Sequence, residues 1–334
     1  MIVDKLGREI HDLRISITDR CNFRCVYCMP KEKFGRGYKF LARNQLLSFE
    51  EIERTVRLFA KLGVRKIRIT GGEPMLRADL PDLVSLIASI DGIDDLSMTT
   101  NASLLTPEKA KTLRNAGLGR LNVSLDSLND ADFVSINDVG CSVSRVLSGI
   151  DALDSAGFKN TKVNMVVRKG TNESSILPMA RHFYGSGHIL RFIEYMDVGT
   201  TNEWKISEVV TATEIKEMIH SEMPLESLQP NYMGEVARRW KYVDGGGEIG
   251  IISSVTQPFC GNCSRARLSA VGKLYTCLFA SDGFDIRELL RQSMSEAELL
   301  EAFAKIWMAR DDRYSETRGK VPNQQKVEMS HIGG

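Results

Sequence analysis

The sequence predicts an α/β fold built on a parallel sheet with helical crossovers. Between residues 12 and 196, short runs of strand-like alternation are followed by longer runs whose apolar residues recur at helical spacing. This order is typical of strands joined by helices, each strand parallel to the next. About six strand–helix units are visible, fewer than the eight of a complete barrel.

Each element in this region has a local sequence signal. Ser48 and Glu51 have capping-box spacing ahead of an apolar stripe, which predicts a helix start. Thr106 and Pro107 open a second helix, which Gly117 ends. Another helical stripe covers residues 143–153, and the predicted strands are residues 13–17, 66–70, 121–125, 162–167 and 189–194.

After about residue 200 the pattern changes. Short strand-like runs surround a short helix at 213–220 and a glycine-rich turn at 245–247. Ser295 and Glu298 form another predicted capping box, and the polar residues 310–330 suggest a mobile tail. We therefore expect two domains, residues 1–200 and a smaller α+β domain at residues 201–334.

Composition excludes several classes of protein. The 334 residues are 43% hydrophobic and 26% charged, as in ordinary globular proteins. A formal net charge of +1 argues against a generally basic nucleic-acid binder. The sequence contains no apolar run of membrane-spanning length and begins without the apolar core of a signal peptide. We expect a cytoplasmic protein, in which clustered cysteines indicate metal binding rather than disulfides.

Three cysteines follow the first predicted strand. Cys21, Cys25 and Cys28 have the spacing C-x3-C-x2-C, with no fourth cysteine nearby. Four-iron, four-sulfur clusters normally take four thiolates, so three would leave one iron open to a ligand. The alternative is a structural zinc loop, although zinc sites favour C-x2-C pairs and a close fourth ligand.

A second cysteine set lies near the C-terminus. Cys260, Cys263 and Cys277 have the spacing C-x2-C-x13-C, and no histidine lies between residues 221 and 330 to complete a zinc site. This pattern favours a second cluster with an open iron. Arg265 and Arg267 share a face if their stretch is extended; they suit phosphate recognition, or form a solvated basic face. The remaining cysteine, Cys141, is interpreted as a small buried hydrophobe.

Together these motifs resemble the GTP 3′,8-cyclase (MoaA) family of radical S-adenosylmethionine (SAM) enzymes, which begins molybdenum-cofactor biosynthesis. The resemblance spans nearly the whole chain. Its motifs are D-L-R-I-S-I-T-D-R-C-N-F-R-C-V-Y-C-M-P (12–30), I-R-I-T-G-G-E-P (67–74), M-T-T-N (98–101), N-V-S-L-D (122–126), K-V-N-M-V (162–166), R-F-I-E-Y-M (191–196), F-C-G-N-C-S-R-A-R (259–267) and the final G-G. The resemblance implies a partial (β/α)6 TIM-like barrel of the radical SAM type, with a second cluster in the C-terminal domain.

The resemblance also assigns site residues. The first cysteine set would hold the SAM cluster, and the second would hold an auxiliary cluster that contacts guanine. The SAM site would be lined by Tyr27, Gly72, Ser124 and Met196. GTP would be bound by Arg14, Lys66, Arg68, Thr99, Lys162, Arg191, Arg265 and Arg267, with Arg14, Arg265, Arg267, Gly333 and Gly334 at the reacting centre. Since the chain has no G-x4-G-K-[ST] phosphate loop, cationic side chains would have to replace it.

The implied activity is that of a lyase. A 5′-deoxyadenosyl radical would abstract hydrogen from C3′ of GTP, and the product would be (8S)-3′,8-cyclo-7,8-dihydroguanosine 5′-triphosphate. The implied cofactors are two 4Fe-4S clusters and SAM. The implied partners are GTP, an unidentified electron donor, a downstream cyclic pyranopterin synthase and a second copy of the chain, with neither nucleic acid nor membrane. Two alternatives remain open: a peptide-modifying radical SAM enzyme with an auxiliary cluster, and a zinc-stabilised binding protein.

Overall fold

Twelve strands form one continuous sheet in the computed structural model, which describes residues 2–319 and 325–333. The first six strands lie side by side in chain order, and each is parallel to its neighbours. This confirms the predicted parallel strand–helix alternation and the partial barrel. The strands are β1 (Asp12–Ser16), β2 (Lys66–Thr70), β3 (Asp95–Thr100), β4 (Arg120–Ser124), β5 (Lys162–Val167), β6 (Ile189–Glu194), β7 (Leu225–Leu228), β8 (Arg238–Tyr242), β9 (Glu248–Ile252), β10 (Arg265–Leu268), β11 (Lys273–Tyr275) and β12 (Phe284–Asp285).

The helices begin where the capping signals predict. The Ser48 side chain accepts a hydrogen bond from the backbone N–H of Glu51, and Ser295 accepts one from Glu298 in the same way. The helices are α1 (Lys31–Phe34), α2 (Phe49–Leu62), α3 (Leu80–Ala88), α4 (Pro107–Asn115), α5 (Asp130–Asn137), α6 (Val143–Ser155), α7 (Ile176–Phe183), α8 (Ala212–Glu222), α9 (Ile286–Arg291), α10 (Glu296–Met308), α11 (Tyr314–Thr317) and α12 (Met329–Ile332).

Strands from beyond residue 200 extend the sheet at both edges. β9 pairs parallel with β6 and continues through antiparallel β8 and β7. At the opposite edge, β10 pairs parallel with β1 and continues through antiparallel β11 and β12. The C-terminal part therefore flanks the six-stranded sheet on two sides, and the division at residue 200 stays a prediction.

Alternation along the strands separates the core from the cavity. Leu13 and Ile15 of β1 are fully buried in the hydrophobic core, whereas Arg14 between them points to the opposite face of the sheet and lines a cavity. The same core includes α2 and α10, whose Phe59 and Phe303 rings stack with centroids 5.3 Å apart. The core thereby holds the strands in place, and polar residues of the same strands face the cavity.

Candidate functional site

All six clustered cysteines line one cavity. Its empty volume, including the open mouth, is ≈ 2210 Å³. Among the described residues, the same cavity is lined by every other predicted site residue except Gly333: Arg14, Tyr27, Lys66, Arg68, Gly72, Thr99, Ser124, Lys162, Arg191, Met196, Arg265 and Arg267. Positions that are more than 250 residues apart in the chain, such as Arg14 and Cys277, therefore meet in one place.

The first cysteine loop is tied to the glycine pair that follows β2. The N–H of Gly72 donates to the carbonyl oxygen of Thr18 at 2.7 Å, and that of Glu73 donates to Arg20 at 2.8 Å. A Cβ added to Gly72 would lie 2.3 Å from the Arg20 oxygen. Only glycine permits this approach, so the Gly-Gly pair locks the loop that leads into Cys21.

The protein surroundings of the three thiols in this loop disfavour the negatively charged thiolate form. Burial raises the pKa of Cys21 to about 12, with a further contribution from Glu73. Burial, and then the neighbouring thiol of Cys21, raises the pKa of Cys28 to about 12, and that of Cys25 lies well above its usual value. Thiols of this kind become thiolates when a cationic centre binds them. The donor set therefore fits an iron–sulfur cluster.

Tyr27 connects this loop to β4. Its hydroxyl donates a 2.7 Å hydrogen bond to Asp126, which also accepts from the backbone N–H of Val166 at 2.9 Å. Burial raises the pKa of Asp126 to about 6. Ser124, two residues earlier, lies on the cavity wall beside it. Asp126 was not predicted as a site residue, although it closes the N-V-S-L-D motif and could have been found there.

Glu73 is a second buried carboxylate that the sequence prediction missed. It accepts hydrogen bonds from the Thr100 hydroxyl at 2.7 Å and from the N–H of Asn101 at 2.8 Å. Burial raises its pKa to about 7, while these donors lower it. The G-G-E-P motif contained this residue, and its cavity-lining position makes it a candidate group for a ligand amine.

A row of three arginines crosses the sheet. In the register of the parallel strands, Arg14 lies opposite Arg267 of β10 on one side and Arg68 of β2 on the other. In-register residues of neighbouring strands share a face, so three guanidinium groups line the cavity together. Burial and then Arg267 hold the pKa of Arg14 well below its usual value. An anion would relieve this like-charge repulsion.

Further cations lie beyond the arginine row, toward β5 and β6. We refer to the arginine row and these cations together as the basic region. Burial, followed by Arg191 and other cations, lowers the pKa of Lys162 to about 7. Burial and then Arg120 lower that of Arg68 to about 10, and the Arg68 Nε is buried without a hydrogen-bond acceptor. Thr99 adds a hydroxyl to the same cavity. The arrangement suits a ligand with several negative charges.

Tyr232 covers one end of the basic region. Its hydroxyl lies 2.7 Å from the Nζ of Lys66, whose ammonium also sits 4.5 Å from the centroid of the Tyr232 ring. Asp12 completes this corner at 3.4 Å from the same Nζ. Tyr232 lies between β7 and β8, and no motif in the sequence pointed to it.

Two buried arginines donate hydrogen bonds to the backbone of the second cysteine loop. Arg310 Nη1 donates to the carbonyl oxygen of Cys263 at 2.6 Å, and Arg8 Nη1 donates to that of Cys260 at 2.8 Å. Burial raises the pKa of the Cys263 thiol, but Arg265 and Arg310 lower it, and the result is about 7. This loop therefore favours a thiolate at Cys263 and also fits a metal cluster.

The C-terminal segment reaches the edge of the cavity. The carbonyl oxygen of Gly333 accepts a hydrogen bond from Arg267 Nη1. Met329, four residues earlier, lines the cavity itself. Gly333 is therefore brought to the arginine row as predicted from the sequence, whereas Gly334 lies outside the described residues.

Two further features are absent from the described residues. Among residues 2–319 and 325–333, no group of three or more His, Cys, Asp or Glu side chains is arranged to hold a metal ion. In the same part of the chain, no helix has both the length and the apolar character needed to cross a membrane.

Comparison with known sequences gives two family matches. The radical SAM superfamily matches residues 15–183, and the family described as Molybdenum Cofactor Synthesis C matches residues 188–316. The chain is 50% identical over 359 residues to a GTP 3′,8-cyclase of Acidothermus cellulolyticus, with 100% of this chain and 99% of the relative covered. It is 48% identical over 338 residues to that of Staphylococcus carnosus, with the same coverage.

Solved structures share the fold at low sequence identity. Streptococcus suis SuiB bound to the precursor peptide SuiA has a TM-score of 0.63 at 15% identity, covering 94% of this chain and 67% of SuiB. The structure of anSMEcpe with bound AdoMet has a TM-score of 0.54 at 15% identity, covering 90% and 84%. The family matches and the full-length identities together show that the chain belongs to the GTP 3′,8-cyclase family of radical SAM enzymes.

Proposed function

We propose that this chain is a lyase that converts GTP into (8S)-3′,8-cyclo-7,8-dihydroguanosine 5′-triphosphate, the first step of molybdenum-cofactor biosynthesis. The observation that carries the proposal is the row Arg267–Arg14–Arg68, which lines the same cavity as two cysteine triplets. A nucleoside triphosphate supplies the negative charge that this row lacks, and its base extends toward the cysteines.

The radical SAM family uses a 4Fe-4S cluster and SAM. Cys21, Cys25 and Cys28 would hold that cluster, and Cys260, Cys263 and Cys277 would hold a second one. When bound, the first cluster and SAM supply the radical chemistry that starts the reaction. Support for both sites comes from the buried thiols and from the arginines that fix the second loop.

The SAM site would lie beside the first cysteine loop. Tyr27, Gly72, Ser124 and Met196 line the same cavity as that loop. Tyr27 is fixed by Asp126, and the close backbone approach at Gly72 leaves N–H and C=O groups where a polar ligand can meet them. Glu73 would accept hydrogen bonds from the ammonium group of SAM.

The GTP site would occupy the basic region. Lys66, Arg68, Lys162 and Arg191 would bind the phosphates with Thr99, since all five line the cavity and Lys162 is close enough to the other three cations for their charges to lower its pKa. Arg14, Arg265 and Arg267 would orient the nucleotide between the phosphate end and the second cysteine loop. Fixing C3′ and C8 of the same nucleotide near each other favours ring closure by proximity and orientation.

The C-terminal glycines would complete this reacting end. Arg267 donates to the carbonyl oxygen of Gly333, so the main chain of the tail reaches the arginine that we place against the nucleotide. Gly333 and Gly334 would act there through backbone groups and would help to exclude water.

Several partner assignments belong to the proposal. They are an electron donor for the first cluster, a cyclic pyranopterin synthase that accepts the product, a homodimeric assembly and a cytoplasmic location. The reduced cysteines that both clusters need are typical of that compartment.

The test is anaerobic incubation of the reconstituted protein with SAM, GTP and dithionite. We expect GTP-dependent formation of 5′-deoxyadenosine together with an isomer of GTP that carries a new ring. Iron and sulfide should each approach about eight per chain, since two cubic clusters hold four of each. Deoxyadenosine formed without any change in GTP would instead favour the peptide-modifying alternative, and stoichiometric zinc without iron would refute the proposal.

A further inference from the structure

A strongly basic surface lies next to the first cysteine loop. Residues 31–45 contain five basic side chains and one acidic one, although the whole chain has a formal net charge of only +1. All five basic side chains are exposed, and we refer to them as the basic patch: Lys31, Lys33, Arg36, Lys39 and Arg43. No site residue described above belongs to it.

The charges of this patch are largely uncompensated. Lys31 pairs with Asp138 at 2.8 Å. Within residues 2–319 and 325–333, the other four members of the patch form no ion pair. Exposed cations that make no intramolecular pair leave a positive potential in the surrounding solvent, and such a potential steers acidic partners.

The basic residues of the patch alternate along the sequence with three aromatic residues whose rings form a ladder. The rings of Phe34 and Tyr38 have centroids 4.7 Å apart, and those of Tyr38 and Phe40 are 4.8 Å apart. Tyr38 remains 43% exposed at the surface. An exposed aromatic residue with a charged rim is the usual anatomy of a protein-binding site.

Short contacts connect this surface to the first cysteine loop. Arg24 donates from Nη1 to the carbonyl oxygen of Cys21 at 2.8 Å and from Nε to that of Phe34 at 2.8 Å. Its guanidinium also lies 5.3 Å from the centroid of the Phe40 ring. One side chain thus spans the distance between a proposed cluster ligand and the aromatic ladder.

We infer that the basic patch and Tyr38 form the docking surface for an acidic one-electron carrier protein. The inference rests on the proposed function, since making 5′-deoxyadenosine and an isomer of GTP from SAM and GTP consumes two electrons and a proton per turnover, and the chain cannot itself supply these electrons. One electron would pass from the reduced carrier to the cluster held by the first cysteine loop, so the carrier would be oxidised and the cluster reduced, and a second reduced carrier would supply the other electron. Docking at the patch brings the carrier to the outer side of the cysteine loop while the cavity remains open to the substrates.

Two charge-reversal variants test this inference in the full-length, reconstituted protein. R36E/K39E reverses two members of the patch, and K111E/K159E reverses two exposed lysines elsewhere. Each variant lowers the net charge by the same amount. Any difference between them in binding or electron transfer therefore results from where the reversed charges lie on the surface. The probe is a flavodoxin with an acidic face. We measure its equilibrium binding in the oxidised form and the stopped-flow rate of electron transfer from the reduced form.

At an ionic strength of about 0.02 M, we expect R36E/K39E to lower both affinity and electron-transfer rate at least about tenfold. The difference should disappear at about 0.5 M, where screening is strong. K111E/K159E should stay within about twofold of the unaltered protein. Turnover with dithionite, a small reductant that needs no docking, should be equal in all three proteins.

Equal binding and transfer rates in R36E/K39E and K111E/K159E would overturn the inference, as would rates that do not fall with added salt. Single-stranded DNA that binds the unaltered patch more tightly than flavodoxin does would also overturn it. Absence of GTP conversion with dithionite in every protein would refute the proposed function instead. In that case, the measurement of flavodoxin binding would still show whether the basic patch is the docking surface.

Discussion

The guanidinium of Arg267 holds the carbonyl oxygen of Gly333 at the edge of the cavity. Arg267 belongs to a strand that pairs with β1, so this contact joins the end of the chain to the row of arginines. Gly333 adopts a φ of +73°, a conformation that L side chains rarely adopt. A Cβ there would lie 2.2 Å from the Cγ2 atom of Thr70.

Replacing Gly333 by alanine is therefore expected to displace the tail. We predict that Gly333→Ala lowers the rate of GTP conversion by about a hundredfold, since small displacements at a reacting centre have effects of that size. The iron content should not change, because the cysteines lie on other elements. Product formation and iron analysis check this, and activity within twofold of the unaltered protein would contradict a role for the tail.

Glu328 anchors the same segment farther from the cavity. Its carboxylate accepts hydrogen bonds from the N–H and hydroxyl of Thr200 at 3.0 and 2.9 Å, and from the hydroxyl of Thr201 at 2.8 Å. We predict that Glu328→Ala lowers turnover roughly tenfold and speeds tryptic cleavage at Lys326, because three hydrogen bonds are lost. Glu301→Ala, on the exposed face of α10, is the control and should leave both unchanged. Unaltered turnover together with unaltered cleavage of Glu328→Ala would refute the anchor.

We predict that Lys162 gives GTP binding a characteristic pH dependence. Its pKa is about 7 in the free protein because burial and neighbouring cations oppose its charge. A triphosphate favours the protonated form, so binding above pH 7 is accompanied by proton uptake, and affinity falls as pH rises from 7 to 9. Calorimetry in buffers of different ionisation enthalpy measures that uptake.

A matched pair of variants isolates this group. Lys162→Arg keeps its charge over the whole range, so it should remove most of the proton uptake, whereas Lys159→Arg should leave it intact. The same uptake in Lys162→Arg as in the unaltered protein would assign the titration to another residue.

Gly72 provides a test of the first cysteine loop. A Cβ there would lie 2.3 Å from a backbone oxygen of Arg20, so the backbone itself has to move. We predict that Gly72→Ala lowers SAM cleavage by at least about tenfold while GTP still binds, since only Lys66 and Arg68 of the basic region lie on the preceding strand β2 and its other cations lie on other strands. Gly37→Ala, where nothing lies within 4 Å of the added atom, is the control. SAM cleavage equal in the two variants would argue against this role.

Local signals predicted much of the fold. The runs 66–70, 162–167 and 189–194 coincide with β2, β5 and β6, because strand alternation and the flanking turns are encoded within a few residues. Compact motifs supplied candidate site residues in the same way. All twelve of the predicted non-cysteine positions other than the terminal glycines line the cavity.

Long-range relationships were not predictable from these signals. The register that places Arg267 beside Arg14 joins strands about 250 residues apart, and no local pattern specifies it. The expected mobile tail at 310–330 is also wrong for its described part. Tyr314, Arg318 and Lys326 converge on Asp197, with distances of 2.5, 3.0 and 2.6 Å. The polar composition of this segment suggested exposure to solvent, but these three side chains instead form hydrogen bonds with Asp197.

The pairing of β10 with β1 has a consequence for synthesis of the chain. β1 and the first cysteines leave the ribosome before their sheet partner on one side, which emerges about 250 residues later. At bacterial and eukaryotic elongation rates of about 5–20 residues per second, that interval lasts roughly 10–50 s. Throughout it, β1 is an unpaired edge and the first cysteine loop is open on that side. Iron and sulfide can therefore reach these thiols before the C-terminal strands close the wall around them.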